Sequence, residues 1–507
     1  MKTFRERRRA APELAFLLAS FFLSFPLPAV EIATTPPPLV PATPSASAPA
    51  TAVPAGTAGL TLEDCYREAL RNNALIRSAR AGFENATGQK IVLQSRALPT
   101  LTARLYGGIR GDIGDKPSIF AILQSNFYQE LFDASTPAAF RKGRITVAVA
   151  QQNFYITTTK ELNALRLAFY QALAARENVA VQQSIRTRLQ ANLTLQQQAA
   201  AVGRVGKQEV DTASLRLAEI EPTLSIAKGD YRQARIELAT HMGRDLDADS
   251  TEAALPGRSD LDSGLPLPKG TLESVTFRID YQAETDYALA HRPDLAALKL
   301  LMASSQSDIE MTQGTRLPLV SLGAGLSFIP RGLLKKHTDG LPLTTLGEGI
   351  GASWLILDGG AVRGAVVDYQ ATREGYGILL RQLQSDIPRD LRQIADSLRT
   401  ASAMVDSSTL AVALAEENYR VVEAQIANGT AVSLDLLNAQ TNLLNAQYNR
   451  INALLENNTA VAQFDTVTGR YLEFIPQEGV PDPTQSKEKT APSAIAKPRP
   501  SGTSATP

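Results

Sequence analysis

Leu317-Pro318-Leu319-Val320-Ser321-Leu322-Gly323-Ala324-Gly325-Leu326-Ser327-Phe328-Ile329 is the stretch on which the reading of the fold turns. Val320, Leu322, Ala324, Leu326 and Phe328 alternate with Ser321, Gly323, Gly325 and Ser327. An extended chain therefore puts the large apolar groups on one face and small or polar ones on the other. Alternation of period two over about ten residues is what a transmembrane barrel strand needs. A second Leu-Pro pair, Leu98-Pro99, precedes Thr100 to Arg110, a further candidate strand. Each is followed by a glycine-containing polar loop and one more candidate: Leu123 to Phe132, and Gly349 to Leu357, in which Ile350, Ala352, Trp354 and Ile356 would share a face. The first pair is less regular, with Arg104 and Gln129 intruding.

Around these four segments, long helical patterns dominate. From Ala138 to Val202 the only glycine is Gly143 and there is no proline; from Arg389 to Asn428 there is neither. Alanine, leucine, glutamine and arginine fill these runs, which favours helix, and some 60 residues of helix would reach about 90 Å. Apolar residues recur at three- and four-residue spacing, as in Leu162, Leu165, Phe169, Ala172 and Leu173, or Leu436, Leu437, Leu443 and Leu444. A narrow stripe flanked by Ala, Gln and Asn is the pattern of helices packed in a coiled-coil-like layer. A soluble helical bundle explains these runs equally well, but not the four strand-like segments.

The back half of the chain reads as a second pass over the front half. Gly203 to Gly243 lies over Gly429 to Gly469 without a gap, placing Ala213, Leu217, Ala227 and Ala234 on Ala439, Leu443, Ala453 and Ala460. Upstream, Gln94, Leu98 and Pro99 fall on Gln313, Leu317 and Pro318. A repeat of roughly 200 residues is too long for a solenoid unit and means two copies of a larger block. We expect repeats at 60–265 and 266–474.

The ends are of different composition. Lys2, Arg5 and Arg7 to Arg9, then the apolar stretch Leu14 to Phe25 and a small residue at Ala29, describe a secretory signal over residues 1–29; an uncleaved anchor is the alternative. Residues 30–59 and 475–507 are rich in Pro, Ala, Ser and Thr and read as disordered segments. With 51 basic and 51 acidic residues and no basic block beyond the signal, nucleic acid is not an expected partner. Cys65 is the single cysteine, so no intrachain disulfide forms, and it reads as a small buried helix residue. His241, His291 and His337 are scattered, with no second ligand at metal spacing. No cofactor, metal site or catalytic constellation is expected, and the chain does not read as an enzyme.

Four strands cannot close a membrane barrel, since the smallest bacterial ones have eight. A free sheet edge in lipid leaves backbone groups unpaired at several kcal/mol each. The chain must pool strands with copies of itself, two giving eight and three giving twelve.

The chain resembles the TolC-like outer-membrane efflux proteins. The residues that carry the likeness are Leu60-Thr-Leu-Glu-Asp-Cys-Tyr-Arg-Glu-Ala-Leu-Arg-Asn-Asn73, the two Leu-Pro pairs, Trp354-Leu-Ile-Leu-Asp-Gly-Gly360 and Asn428-Gly-Thr-Ala-Val-Ser-Leu-Asp-Leu-Leu-Asn-Ala-Gln440, in collinear order. The resemblance implies a mainly α protein with a membrane β-barrel. Its tandem-repeat protomer would give four strands and long helical hairpins to a homotrimer, with a twelve-stranded barrel in outer-membrane lipid and a twelve-helix periplasmic tunnel. It further implies the exit duct of a tripartite efflux pump or type I secretion system, joined to an inner-membrane pump by a periplasmic adaptor. The alternative of another class is a periplasmic coiled-coil adaptor or interaction protein, which should show one hairpin rather than two in tandem.

Val202-Gly203-Arg204-Val205 and Asn428-Gly429-Thr430-Ala431 interrupt the long helices. Gly203 and Gly429 suit C′ positions, and Ser433 suits a cap for the returning helix better than Lys207 does. By resemblance these tips dock the adaptor's hairpin. Glu209 and Asp435 each lie six residues beyond the glycine. The resemblance makes Asp435 part of a carboxylate ring that closes the tunnel entrance, with Glu209 the weaker member; Asn438 stands where a second acidic tier would be. The alternative for Asp435 is a solvated carboxylate favoured by the helix dipole. Tyr106, Phe127, Tyr128, Phe328 and Trp354 form a candidate aromatic belt at the membrane interface.

Overall fold

The computed structural model describes residues 59–110, 118–203, 205–245, 264–276, 279–329, 343–428, 430–431 and 433–470, all within one compact unit, Ala58–Pro507. The expected signal, most of the N-terminal segment and the C-terminal tail lie outside them. The elements in order are α1 (Leu62–Asn72), α2 (Ala74–Gln94), β1 (Thr100–Arg110), β2 (Ser118–Phe132), α3 (Thr136–Ala201), α4 (Lys207–Met242), α5 (Tyr281–His291), α6 (Pro293–Gly314), β3 (Leu319–Ile329), β4 (Leu343–Ser353), α7 (Ala361–Ala427) and α8 (Ser433–Thr468). The last six repeat the first six in kind and almost in length: the long helices have 66 and 67 residues and their returning partners 36 each. At 1.5 Å per residue the long helices reach about 100 Å.

The two halves reach the same geometry by different chemistry. Thr61 and Asp64 form a reciprocal capping box at the start of α1. The break between α1 and α2 is held by Asn73, whose Oδ1 accepts from the Leu75 and Ile76 amides at 2.8 and 3.1 Å. At the equivalent break in the second half, Pro293 occupies the first turn of α6, where the missing N–H costs nothing. Where strand passes into long helix, Asp133 accepts from the Ser135 amide and Asp358 from those of Gly360 and Val362. Those backbone donors hold the half-buried Asp358 carboxyl below its usual range.

The sheet is antiparallel in the order β1-β2-β3-β4, with β1 and β4 at its edges. β1 and β3 have the bounds expected from the alternation, whereas two expectations shift. β2 begins five residues before Leu123, and β4 runs from Leu343 to Ser353 rather than from Gly349 to Leu357. Thr344, Thr345 and Glu348 hide the start of β4 from a hydrophobicity reading, but pairing of Leu343 with Ile329 imposes it. Trp354 and Ile356 lie beyond the strand's end.

The register sorts the sheet into two faces. Leu101, Leu105, Leu123, Phe127, Leu322, Ala324, Leu326, Leu346 and Ile350 share one, interrupted by Ser125, Gln129, Thr344 and Glu348. Thr100, Thr102, Arg104, Gln124, Asn126, Ser321, Gly323, Gly325, Ser327, Thr345, Gly347, Gly349 and Gly351 share the other.

The helices pack as a layer. Next to the sheet the neighbours run α2, α3, α6, α7; toward the helix tips they run α4, α3, α8, α7. Cys65, Ile76, Phe154, Leu162, Leu165, Phe169, Leu238 and Met242 form the main core where α1 meets α3 and α4, so Cys65 is buried and its thiol is pushed up to about 12 by desolvation. Along this waist runs the segment joining the halves. Leu60 pairs with Leu267 and Lys269 through backbone hydrogen bonds of 2.7 and 2.8 Å. The buried Arg235 donates to the Leu265 and Pro266 carbonyls at 3.0 and 2.9 Å, and Arg176 to those of Pro268 and Gly270. Asn457 and Asn458 hold Val275 and Glu273 from the other side.

Gly243 closes α4 with φ 75°, and a Cβ there would lie 2.6 Å from the carbonyl of Asn72. Gly203 has φ 70° with nothing within 4 Å. Left-handed strain alone costs Ala about 1–2 kcal/mol. Gly243→Ala should therefore lower the thermal midpoint clearly more than Gly203→Ala, measured by circular dichroism melting in detergent; equal shifts would contradict the close approach.

Candidate functional site

The two helical tips are the candidate site. At the first, α3 ends at Ala201, and the Gly203 amide donates to the Ala200 carbonyl at 3.0 Å. With its left-handed φ, Gly203 is the C′ residue expected from the sequence. Arg204 lies outside the described residues, and Val205 is half-buried. Gly206, in extended backbone, precedes Lys207, the first residue of α4.

At the second tip, α7 ends at Ala427 and Asn428 is its cap residue. The Thr430 amide and hydroxyl both donate to the Gln425 carbonyl, at 2.9 and 3.0 Å. The bond from the amide of C″ to the third-last helical carbonyl is that of a Schellman turn. Gly429 is outside the described residues. Ser433 is the first helical residue rather than the cap, a shift of one position from the expectation.

Both acidic candidates fall in the first turn of a returning helix, in its third residue. There a carboxylate meets the free amides and the positive end of the helix dipole. Glu209 is exposed and folds back over the helix start, its Oε2 3.0 Å from where a Cβ on Gly206 would sit. Asp435 and Asn438 are exposed at the start of α8, and the buried Ala439 follows one turn after Asp435. The tips also carry exposed apolar side chains, Val202 at 68% and Leu434 at 61%. Sequence reasoning missed a shallow hollow of about 400 Å³ on α4 beside the first tip, lined by Lys207, Gln208, Asp211, Thr212 and Leu215. The exposed Leu215 in a helical register of polar residues is the signal that could have found it.

The five candidate belt aromatics are not brought together on one face. Tyr106 and Tyr128 project on the polar face of the sheet, and the Phe127 and Phe328 positions belong to the apolar one. Trp354 lies past β4, where its Nε1–H donates to the Arg316 carbonyl at 2.9 Å and ties the strand exit to the end of α6. His241 stands 3.6 Å from Glu161, and His291 stacks on Tyr287; His337 is outside the described residues. Among the described residues no group of three or more His, Cys, Asp or Glu could hold a metal ion.

Residues 285–470 match the family described as Outer membrane efflux protein. The chain is 24% identical over 404 residues to the Proteases secretion protein PrtF of Dickeya chrysanthemi, covering 75% of this chain and 81% of that one. It is 22% identical over 400 residues to the Alkaline protease secretion protein AprF of Pseudomonas aeruginosa, covering 75% and 78%. Its fold is that of the Campylobacter jejuni CmeC outer membrane channel, with TM-score 0.66 and 16% identity over 80% of this chain and 85% of the other. The outer membrane protein VceC of Vibrio cholerae gives 0.62 and 17% over 80% and 96%. The TolC-like recognition made from the sequence and the outer-membrane location are borne out.

Gly203→Val would force a β-branched residue into a left-handed conformation at an exposed turn. Export by cells carrying it should fall at least about tenfold, with the protein still inserted and assembled at wild-type level on native gels. Export at the wild-type rate would remove this turn from the site.

Proposed function

We propose that this TolC-like chain of the outer membrane closes with two further copies into a passive export duct, and that its helical tips form the gate and the docking surface at the periplasmic end. The observation that carries the reading is the pair of unlike open sides on the protomer. One side ends in β1, α2 and α4, with Leu75, Ile91, Val92, Leu215 and Ile226 exposed; the other ends in β4 and α7, with Val367, Ile378, Leu379, Leu410, Leu414 and Val421 exposed. Sides that differ pair head to tail, and such contacts generate a ring where the rotation closes. The apolar sheet face would meet lipid and the polar face a lumen. Three copies supply twelve strands, the number the family resemblance implies.

The protomer then consists of the repeats 60–265 and 266–474, behind a signal at 1–29 and between the Pro/Ala-rich segments 30–59 and 475–507. An adaptor hairpin would dock on Val202 to Val205, Asn428 to Ala431 and the hollow along α4. Three Asp435 carboxylates would constrict the entrance, with Asn438 a neutral second tier and Glu209 an outer contributor. An inner-membrane pump supplies the energy. The names of PrtF and AprF, both protease secretion proteins, favour a type I system with a polypeptide cargo; the efflux family that matches the second repeat supports a pump for small molecules as the second reading.

Cell fractionation should leave the protein in the envelope pellet until detergent is added, and native mass spectrometry should then show three copies. Release without detergent, or a stable monomer, would sink the duct. In planar bilayers Asp435→Ala should raise single-channel conductance at least about twofold and weaken block by divalent cations. Unchanged conductance and block would take Asp435 out of the gate.

A further inference from the structure

The polar face of the sheet carries one feature that neither the gate nor the docking surface uses. Arg104 sits at the middle of β1, and the register across the sheet places Gln124, Ser327 and Thr345 in the same row. The next row toward the helices reads Thr102, Asn126, Gly325 and Gly347, and the next row away begins Tyr106 and Ile122. Neither holds a carboxylate. Among the described side chains the nearest carboxylate on this face is Glu130, three rows toward the helices, or about 20 Å along the strand. That exceeds the Debye length of about 8 Å at physiological salt. Ser327 lies in its row and Gly325 and Gly347 in the next, and Arg104 is exposed.

We infer that Arg104 lines the barrel as a ring of three guanidinium groups that favours negatively charged groups in passage, an inference that rests on the ring of three copies proposed above. Twelve strands about 4.8 Å apart and tilted about 40° close to a backbone radius of about 12 Å. An arginine extended inward carries its charge roughly halfway to the axis, leaving the three charges about 10 Å apart, close to one Debye length at 0.1 M salt. Arginine stays charged at every relevant pH. A solute on the axis would then pass all three at a distance where their field is only partly screened, and carboxylate, phosphate or sulfate groups would be preferred over cations.

The test is the reversal potential of purified trimers in planar bilayers under a KCl gradient, in the wild-type and the Asp435→Asn backgrounds. Arg104→Gln should lower the chloride-to-potassium permeability ratio at least about threefold in both, Arg104→Glu should lower it further, and Arg104→Lys should keep it near wild type. Conducting trimers whose ratio is unchanged by Arg104→Glu would overturn the inference while leaving the duct standing. Trimers that insert and carry no current even in the Asp435→Asn background would overturn the duct itself, and this inference with it.

Discussion

Backbone amides and carbonyls at the two edges of a four-stranded sheet set the terms for the rest of the molecule. In water such edges can be solvated; in hydrocarbon every unpaired group costs several kcal/mol, which is why the proposed duct completes the sheet with other copies. The helices obey the same requirement with side chains instead of hydrogen bonds. Their exposed apolar residues concentrate on α2 and α4 at one side and on α7 at the other, beneath the free strands β1 and β4. In the proposed ring one set of contacts would therefore complete both layers. In the proposed ring, strands about 4.8 Å apart and helices about 8–10 Å apart would not share one circumference without adjustment. The adjustment falls at the strand-to-helix corners, where Asp133 and Asp358 reorganise the backbone through their hydrogen bonds, the latter with Gly359 and Gly360 at φ 64° and 95°.

At the waist the demand is different. Helices α3 and α7 pass straight through, while α4 and α8 end there at Gly243 and Gly469, both left-handed. The segment 264–276 threads between the halves with few side chains of its own in the core, and its carbonyls are taken by Arg176 and Arg235. A buried guanidinium bonded to several carbonyls is a stable arrangement only with its donors satisfied. This crosslinking by hydrogen bonds keeps the two hairpins in one register at mid-height, so the tips at the far ends of about 100 Å rods stay matched.

Much of this was legible in the sequence because it rests on periodicity. The alternation of Val320, Leu322, Ala324 and Leu326 fixed β3 to the residue, and the scarcity of Gly and Pro announced most of α3 and the part of α7 after Pro388. The duplication was visible in order and spacing although the residues had drifted. What was not legible depended on partners. Thr344 and Thr345 belong to β4 only because β3 lies beside them, and Trp354 looked like a strand residue until its indole N–H was found on Arg316. The candidate belt failed to share a face because composition names aromatic residues without assigning their parity. At the tips the glycine at 203 was readable from its position, but the groove on α4 was not, since Gln208, Asp211 and Thr212 look like any solvated helix face.

The duplication also explains why charge is unequally shared between the halves. Counting 219 residues on from Arg104 leads to Gly323, on the same polar face of the second hairpin. Had the repeat kept arginine there, the proposed ring would hold six guanidinium groups only about 6 Å apart, inside the screening distance and strongly repulsive. Three, separated by glycine, keep the field without that penalty. The tips face no such limit, because Glu209 and Asp435 each sit in the first turn of a helix whose free amides offset the charge. Glycine at 323 thus spares the proposed ring a crowding of like charge that the helix dipoles offset at the tips.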